Sequence, residues 1–316
     1  MLEGANAMKP FEGRDILSMK DFSREEADHI FEVADWMEPI ARSRHNIDLL
    51  RHKALATLFF QPSTRTRMSF EGAMRRLGGS VTTAADAKVM RAGDTYAESW
   101  KDTAMVVQHY VDAAVIRHFQ VGVPAEFARH ASIPVLNGGD GYGGRSEHPT
   151  QALLDTYSIY KLLGGVDGVK ILIWGDLKYR CMHSLAYALA LFKDVKAYGL
   201  APEDMRYPAE VVEDIRLMGL DYSDIDDPMD VIPEVDVIYI TGPAHNWEDK
   251  MEDKYILDLK KVERAKKEMV ILHPLPRVHE LPVEVDDTPH AQYSEQALYG
   301  LIIRMALLAL VLGARP

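Results

Sequence analysis

Residues 54–74 read ALATLFFQPSTRTRMSFEGAM. The apolar run Ala54–Phe60 is typical of a buried strand, and the segment Met68–Met74 has the spacing of a helix. Between them, residues 63–67 place hydroxyls, a guanidinium and free backbone N–H groups at a helix N-terminus, where the helix dipole favours negative charge. The turn therefore predicts an oxyanion site, although a polar N-cap before an exposed helix fits the same residues.

Strand-like and helix-like segments alternate along the whole chain. The predicted strands are Ala54–Phe60, Ala113–Ile116, Pro134–Leu136, Val169–Trp174, Val195–Tyr198, Val235–Ile240 and Met269–Leu272. The predicted helices are Arg24–Ile40, Thr95–Tyr110, Gln151–Leu163, His183–Phe192 and Ala209–Met218. This alternation predicts an α/β fold with doubly wound parallel sheets, whose ligands bind beyond the carboxyl ends of the strands. The glycine-rich segment 164–168 indicates a boundary between two halves.

Length and composition limit the classes of protein that fit this chain. With 316 residues and 47% apolar content, two domains of about 150 residues are expected. The formal charge of −12 argues against a nucleic-acid partner, so positive charge for a phosphate must be concentrated locally. The lone Cys181 excludes an intramolecular disulfide framework and fits a cytoplasmic location. No signal peptide is recognisable at Met1–Pro10. The run Leu301–Gly313 is too short for a bilayer, so we expect a buried closing helix and no membrane partner.

Four predicted strands are followed by basic or imidazole side chains. Arg117 and His118 follow one strand, and a glycine-rich loop after another leads to His148. The segments 175–180 and 273–277 follow two more. Each feature alone suits a surface cation, a capping histidine or an ordinary turn. Together they predict one cationic site at the strand ends.

Cofactor and metal signatures are weak. The loop at Gly175 lacks the second and third glycines of a dinucleotide site, and no Walker lysine loop is present. The histidines lack a His/carboxylate frame, so we expect neither a metal nor a cofactor. The acidic stretch Asp221–Asp236 is interpreted as a solvated face with short turns.

Six blocks in a fixed order resemble the aspartate branch of the aspartate/ornithine carbamoyltransferase family. They are FFQPSTRTR (59–67), RH (117–118), HPTQ (148–151), GDLKY (175–179), HPLPR (273–277) and TPHA (288–291). The resemblance implies a carbamoyl-phosphate domain, residues 1–150 plus 292–316, that is completed by the C-terminal helix. It implies an acceptor domain at residues 151–291. It also implies a homotrimer with shared active sites, and it leaves open a regulatory subunit.

Residue roles follow from the same resemblance. Ser63, Thr64, Arg65 and Thr66 are expected to bind phosphate, and Arg117 to bridge the phosphate and the carbonyl oxygen. His148 and Thr66 are expected to donate to that oxygen as it gains charge. Gln151 and the carbonyls of Pro274 and Leu275 are expected to hold the carbamoyl NH2, and Arg180 to bind a carboxylate of the acceptor.

The acceptor loops depart from the family pattern. Where the family has an arginine and a glutamine that contact aspartate, this chain has Gly242 and Ala244. In the loop that reaches a neighbouring subunit, the family serine and lysine fall on Lys88 and Ala92, so Lys88 or Arg91 is the candidate cation. The family glutamate before Pro-Ser-Thr is Gln61, and its arginine partner is replaced by Trp247.

The resemblance implies transfer of a carbamoyl group to an amine. The expected acceptor is L-aspartate, as in pyrimidine biosynthesis. A different amino acid or amine, admitted by His245 and its neighbours, is the first alternative. A non-catalytic relative that only binds a phosphate ligand is the second. Intact Arg117, His148 and Gln151 weigh against the second, because phosphate binding alone needs neither carbonyl polarisation nor amide recognition.

Overall fold

The computed structural model describes residues 10–84, 91–92, 98–242 and 252–314. Two parallel sheets organise these residues. The first sheet has the order β2-β1-β3-β4 and the second has the order β7-β6-β5-β8-β9, with every neighbouring pair parallel. In both sheets the order runs outward from a central strand in two directions, which is the doubly wound arrangement expected from the sequence.

The elements alternate regularly along the chain. In the first half they are α1 (Arg24–Ser43), β1 (Ala54–Phe59), α2 (Arg65–Arg76), β2 (Ser80–Ala84), α3 (Trp100–Val107), β3 (Ala113–His118), α4 (Val123–Ala128), β4 (Val135–Asp140) and α5 (Pro149–Leu163). In the second half they are β5 (Lys170–Trp174), α6 (Arg180–Leu189), β6 (Lys196–Leu200), α7 (Ala209–Leu217), β7 (Asp221–Asp224), β8 (Val237–Ile240), α8 (Leu259–Val262), β9 (Val270–Leu272) and α9 (Tyr293–Val311). Short 3-10 turns lie at Met19–Asp21, Glu203–Met205, Pro228–Asp230, Asp253–Tyr255 and Val283–Asp287.

All seven predicted strands are present, and two further strands were missed. Both β2 and β7 are edge strands whose side chains are largely exposed, so they lack the apolar run by which a buried strand is recognised. The interpretation of Asp221–Asp236 as short turns was therefore wrong at its start. Residues 221–224 of that stretch pair with β6.

The predicted closing helix begins earlier than expected, at Tyr293. It packs against α1, α2 and α5, which places its buried face on the side of the first sheet. By length and apolar composition alone α9 could cross a membrane, but 67% of its apolar stretch is buried inside the protein, and a buried core helix is equally long and apolar.

The geometry at Gly175 explains why a glycine follows β5. Its φ is +115°, and a Cβ there would lie 2.0 Å from the carbonyl oxygen of Thr241. Glycine is therefore required by the close approach of the chain after β5 to the chain after β8. No pyrophosphate is needed to account for this residue.

Candidate functional site

The turn after β1 brings the N-terminus of α2 to the edge of the first sheet. Thr64, the N-cap residue, makes no side-chain capping hydrogen bond, so its hydroxyl is not used to cap the helix. Thr64 is thus a polar residue at the N-cap position, as the alternative interpretation expects, but its hydroxyl does not cap the helix. Because the first N–H groups of a helix lack partners within the helix, this end is suited to an anion.

Ten of the predicted site residues line one cavity of about 590 Å³. They are Ser63, Thr64, Arg65, Thr66, Arg117, His148, Gln151, Arg180, Pro274 and Leu275. Gln61, Tyr179, Cys181, Thr241 and Gly242 complete much of the wall. The cavity thus lies where the ends of β1, β3 and β4 of the first sheet meet the segments after β5, β8 and β9 of the second.

Three of these side chains converge on Gly139. A Cβ at Gly139 would lie 2.9 Å from Nη1 of Arg117, 3.0 Å from Cδ2 of His148 and 3.1 Å from Nε of Arg180. The φ of Gly139 is +106°, which favours glycine in any case. These two cations and the imidazole therefore surround one point, although 31 to 63 residues separate them in the chain.

The cavity wall is strongly cationic. Arg65, Arg117 and Arg180 line it, and among the described lining residues there is no aspartate or glutamate. Burial and then the neighbouring Arg180 lower the pKa of Arg117 to about 9, and burial lowers the pKa of Arg65 and Arg180. Positive charges held together without a carboxylate in the same wall favour an anionic ligand.

His148 lies at the start of α5 and is fully buried against these cations. Its Nε2 lies 3.2 Å from Oγ1 of Thr66. Burial, followed by the charges of Arg117, Arg304 and Arg180, lowers the pKa of His148 well below its usual range. The imidazole is therefore neutral at physiological pH. A neutral imidazole can donate one hydrogen bond to an oxygen that gains charge without adding a further cation.

Arg65 belongs to the predicted phosphate turn, but its guanidinium contacts the segment after β9 of the second sheet. Its Nε donates to the carbonyl oxygen of Pro274 at 3.1 Å, and its Nη2 donates to that of Leu275 at 2.5 Å. These are the two carbonyls that the resemblance assigns to the carbamoyl NH2. Arg65 therefore belongs to the predicted phosphate turn and contacts the predicted amide site.

Arg180 joins the two halves of the cavity. It begins α6, and its Nη2 donates to Oε1 of Gln61 at 2.7 Å, while its Nη1 donates to the carbonyl oxygen of Gly141 at 2.8 Å. Gln61 thus fills the position of the family glutamate with a neutral acceptor. Gln61 therefore holds Arg180 in place without supplying a carboxylate to pair with it.

Three predicted residues remain, and the described part of the chain includes one of them. Arg91 is described, but it does not line the cavity of its own chain. Lys88 and His245 lie outside the described residues, as do Ala244 and Trp247. Within the described part of the chain, no group of three His, Cys, Asp or Glu side chains is arranged to hold a metal ion.

Several residues behind the cavity wall were missed by the sequence analysis. Asp155 lies one helical turn beyond Gln151 and is fully buried, and Arg304 of α9 is buried nearby with its pKa lowered to about 10 by burial. Both residues could have been noticed in the sequence, because each is a charged residue within an apolar helix. Nothing in the order of the sequence indicated that α5 and α9 meet at this point.

Comparison with known proteins identifies the family to which this fold belongs. Residues 14–161 match the carbamoyl-P binding domain of aspartate/ornithine carbamoyltransferase, and residues 167–311 match its Asp/Orn binding domain. The aspartate carbamoyltransferase catalytic subunit of Thermococcus onnurineus is 43% identical, over 96% of this chain and 98% of its own length.

Two solved structures show the same fold. The catalytic subunit of Methanocaldococcus jannaschii aspartate transcarbamoylase has a TM-score of 0.83 at 39% identity, covering 93% of this chain and 96% of its own. Trypanosoma cruzi aspartate transcarbamoylase, in complex with carbamoyl phosphate and aspartate, has a TM-score of 0.88 at 33% identity, covering 96% of each chain. Fold and site together define a two-domain carbamoyltransferase. The chain belongs to the aspartate/ornithine carbamoyltransferase family.

Proposed function

We propose that this protein transfers the carbamoyl group of carbamoyl phosphate to the amino group of L-aspartate. The products are N-carbamoyl-L-aspartate and phosphate, which places the reaction in pyrimidine biosynthesis. The observation that carries the proposal is the convergence of Arg65, Arg117 and His148 on one cavity. The complex of the Trypanosoma cruzi relative with carbamoyl phosphate and aspartate supports it.

The donor half of the cavity matches the chemistry of an acyl phosphate. The N-terminus of α2, with Ser63, Thr64 and Arg65, supplies backbone N–H groups, hydroxyls and a cation for the phosphate. Arg117 bridges the phosphate and the carbonyl oxygen. Positioning of both reactants then replaces the need for a covalent nucleophile.

The carbonyl oxygen becomes negative when the amine attacks the carbon. His148 and Thr66, whose polar atoms lie 3.2 Å apart, donate to this oxygen in the tetrahedral intermediate. The new C–N bond forms, the bond from carbon to the bridging phosphate oxygen breaks, and one amine proton is released. Gln151 and the carbonyls of residues 274 and 275 hold the carbamoyl NH2 during these steps.

Arg180 holds a carboxylate of the acceptor. Arg180 lines the cavity, as do Tyr179 and Gly242. A second candidate function, transfer to a different amino acid or amine, is favoured by one observation. Gly242 and Ala92 stand where the family has an arginine and a lysine for aspartate.

The domain roles and the assembly are part of the same proposal. Residues 1–150 with 292–316 form the carbamoyl-phosphate domain, and residues 151–291 form the acceptor domain. The acceptor domain also contributes Gln151 and the carbonyls of residues 274 and 275, which hold the carbamoyl NH2. The packing of α9 against α1 and α2 supports the inclusion of the C-terminal helix in the first domain. A homotrimer lets Lys88 or Arg91 of one chain reach the cavity of the next, and a regulatory subunit can dock on such a trimer.

A phosphate-release assay with a panel of amines tests the proposed function. Purified protein is incubated with carbamoyl phosphate and L-aspartate, L-ornithine, other amino acids or simple amines. We expect phosphate release that requires L-aspartate. Release only with another amine would support the second candidate, and no release with any amine, despite binding of carbamoyl phosphate, would refute both.

A further inference from the structure

Asp155 is a buried carboxylate behind the cavity wall, and it does not line the cavity itself. Its Oδ1 accepts hydrogen bonds from Nε2 of Gln151 at 2.9 Å and from Nε2 of Gln296 at 2.7 Å. Its Oδ2 accepts from the hydroxyl of Tyr239 at 2.8 Å. One carboxylate therefore connects α5, α9 and β8.

The first branch of this network fixes the side-chain amide of Gln151. Oδ1 of Asp155 meets the side-chain nitrogens of both glutamines, and it accepts from them whether the carboxyl is ionised or carries its proton on Oδ2, so the NH2 group of Gln151 faces Asp155. The oxygen Oε1 of Gln151 then points away from Asp155, and Gln151 lines the cavity. A glutamine amide has an acceptor at one end and a donor at the other, so a partner such as Asp155 is what fixes which end faces the cavity.

The second branch reaches the chain segment after β9. The Oε1 of Gln296 accepts from the backbone N–H of His273 at 2.8 Å, and Nδ1 of His273 accepts from the N–H of Leu275 at 2.7 Å. Leu275 has a φ of +56°, a left-handed conformation that a leucine adopts only when its surroundings hold it. The network therefore also supports the backbone that presents the carbonyls of Pro274 and Leu275.

We infer that Asp155 is a positioning residue that makes the site selective for an acyl phosphate bearing an NH2 group. Through Gln151 and Gln296 it aims hydrogen-bond acceptors at the position of that group. Acetyl phosphate, which has a methyl group there, leaves the same acceptors unpaired, and a site with unpaired buried acceptors rejects such an analogue. The inference rests on the proposed donor, carbamoyl phosphate.

Direct binding measurements separate this role from general support of the fold. Dissociation constants for carbamoyl phosphate, acetyl phosphate and inorganic phosphate are measured by calorimetry for the full-length protein and for Asp155→Ala. We expect the wild-type protein to prefer carbamoyl over acetyl phosphate, and the variant to lose about tenfold or more of that preference. Affinity for inorganic phosphate should stay within about twofold, because the phosphate contacts are elsewhere.

Asp35 offers a matched control. Its carboxylate also accepts three hydrogen bonds, from Tyr157, Tyr160 and Lys161, but none of these residues lines the cavity. Asp35→Ala should leave the preference unchanged. Asp155→Asn, which keeps an oxygen acceptor for both glutamines, should retain most of it. Gln296→Leu removes only the second branch and should lose part of it, which keeps the test available if Asp155→Ala does not fold.

Three results would overturn the inference. One is an unchanged preference in Asp155→Ala or Gln296→Leu, and another is an equal loss of affinity for all three phosphates, which indicates a merely structural role. A wild-type protein that binds both acyl phosphates equally also overturns it. Failure of the wild-type protein to bind carbamoyl phosphate at all would instead refute the proposed function.

Discussion

Arg180 donates a hydrogen bond to Gln61 across the cavity, with Nη2 and Oε1 2.7 Å apart. Gln61 follows β1 of the first sheet, and Arg180 begins the helix that follows β5 of the second. The bond therefore joins the two halves of the site without neutralising the guanidinium. The cation remains available for a carboxylate of the acceptor.

Gln61→Glu should weaken acceptor binding. A carboxylate at this position forms an ion pair with Arg180 and competes with the acceptor, so we expect the KM for L-aspartate to rise about tenfold. Gln61→Met is the control, because it removes the bond but adds no charge, and its effect should be smaller. Steady-state kinetics at saturating carbamoyl phosphate measure both. An equal rise of KM in the two variants would show that the charge is unimportant.

Arg65→Ala should weaken the binding of carbamoyl phosphate. A charge-assisted hydrogen bond contributes about 1.5–3 kcal/mol, so the dissociation constant should rise by about 10- to 100-fold. Arg75→Ala is a matched control, since Arg75 is an exposed arginine on the same helix that pairs with Glu71. Calorimetric titration with carbamoyl phosphate distinguishes them. Similar losses in both variants would contradict a specific role for Arg65.

Gly139→Ala should inactivate the site. The added Cβ would lie 2.9–3.1 Å from Arg117, His148 and Arg180, so at least one of these side chains must move. We expect a loss of kcat/KM of about a hundredfold or more, since removal of one oxyanion donor alone has that effect. Gly143→Ala is the control. Gly143 also has a positive φ, of +65°, but nothing lies within 4 Å of a Cβ there, so the variant reports only the backbone effect. Full activity of Gly139→Ala would contradict the described convergence.

Glu147 should make the stability of the protein depend on pH. Burial raises the pKa of this carboxyl to about 6, although Ser18, the N–H of Met19 and Ser184 donate to it. The folded state therefore keeps the proton to a higher pH than the unfolded state does. The stability that this group contributes is fully present below the pKa that the carboxyl has in the unfolded state. It is lost as the pH rises through about 6.

Glu147→Gln isolates this effect. The free energy of unfolding of the wild-type protein, minus that of the variant, should fall by about 2 kcal/mol between pH 4 and pH 7. Urea unfolding at each pH measures the difference, in which the contributions of the histidines cancel. A difference that rises with pH would mean that the carboxyl titrates below its usual range.

The fold and much of the site could be predicted because they depend on local patterns. The central strands are apolar runs, and Arg117, His148 and Arg180 follow strands or open helices, where parallel sheets place their ligands. The edge strands β2 and β7 were missed because exposed strands carry polar residues.

Other features arise only when distant segments meet. Arg65 contacts the carbonyls of residues 274 and 275, which lie more than 200 positions away. Asp155 connects Gln151 with Gln296 of the last helix. No periodicity in the sequence encodes such a contact, because it depends on how the two sheets are packed rather than on the elements themselves.

The central claim is that the cavity makes the carbon of carbamoyl phosphate electrophilic for an amine. It is tested most directly by 13C NMR of a reaction with 13C-labelled carbamoyl phosphate and L-aspartate. We expect the label to appear in N-carbamoyl-L-aspartate. His148→Ala should slow its appearance about a hundredfold or more while keeping most of the affinity for carbamoyl phosphate, because a neutral donor to the oxyanion is lost. Label that reaches no amine, or transfer that His148→Ala leaves unchanged, would contradict the account.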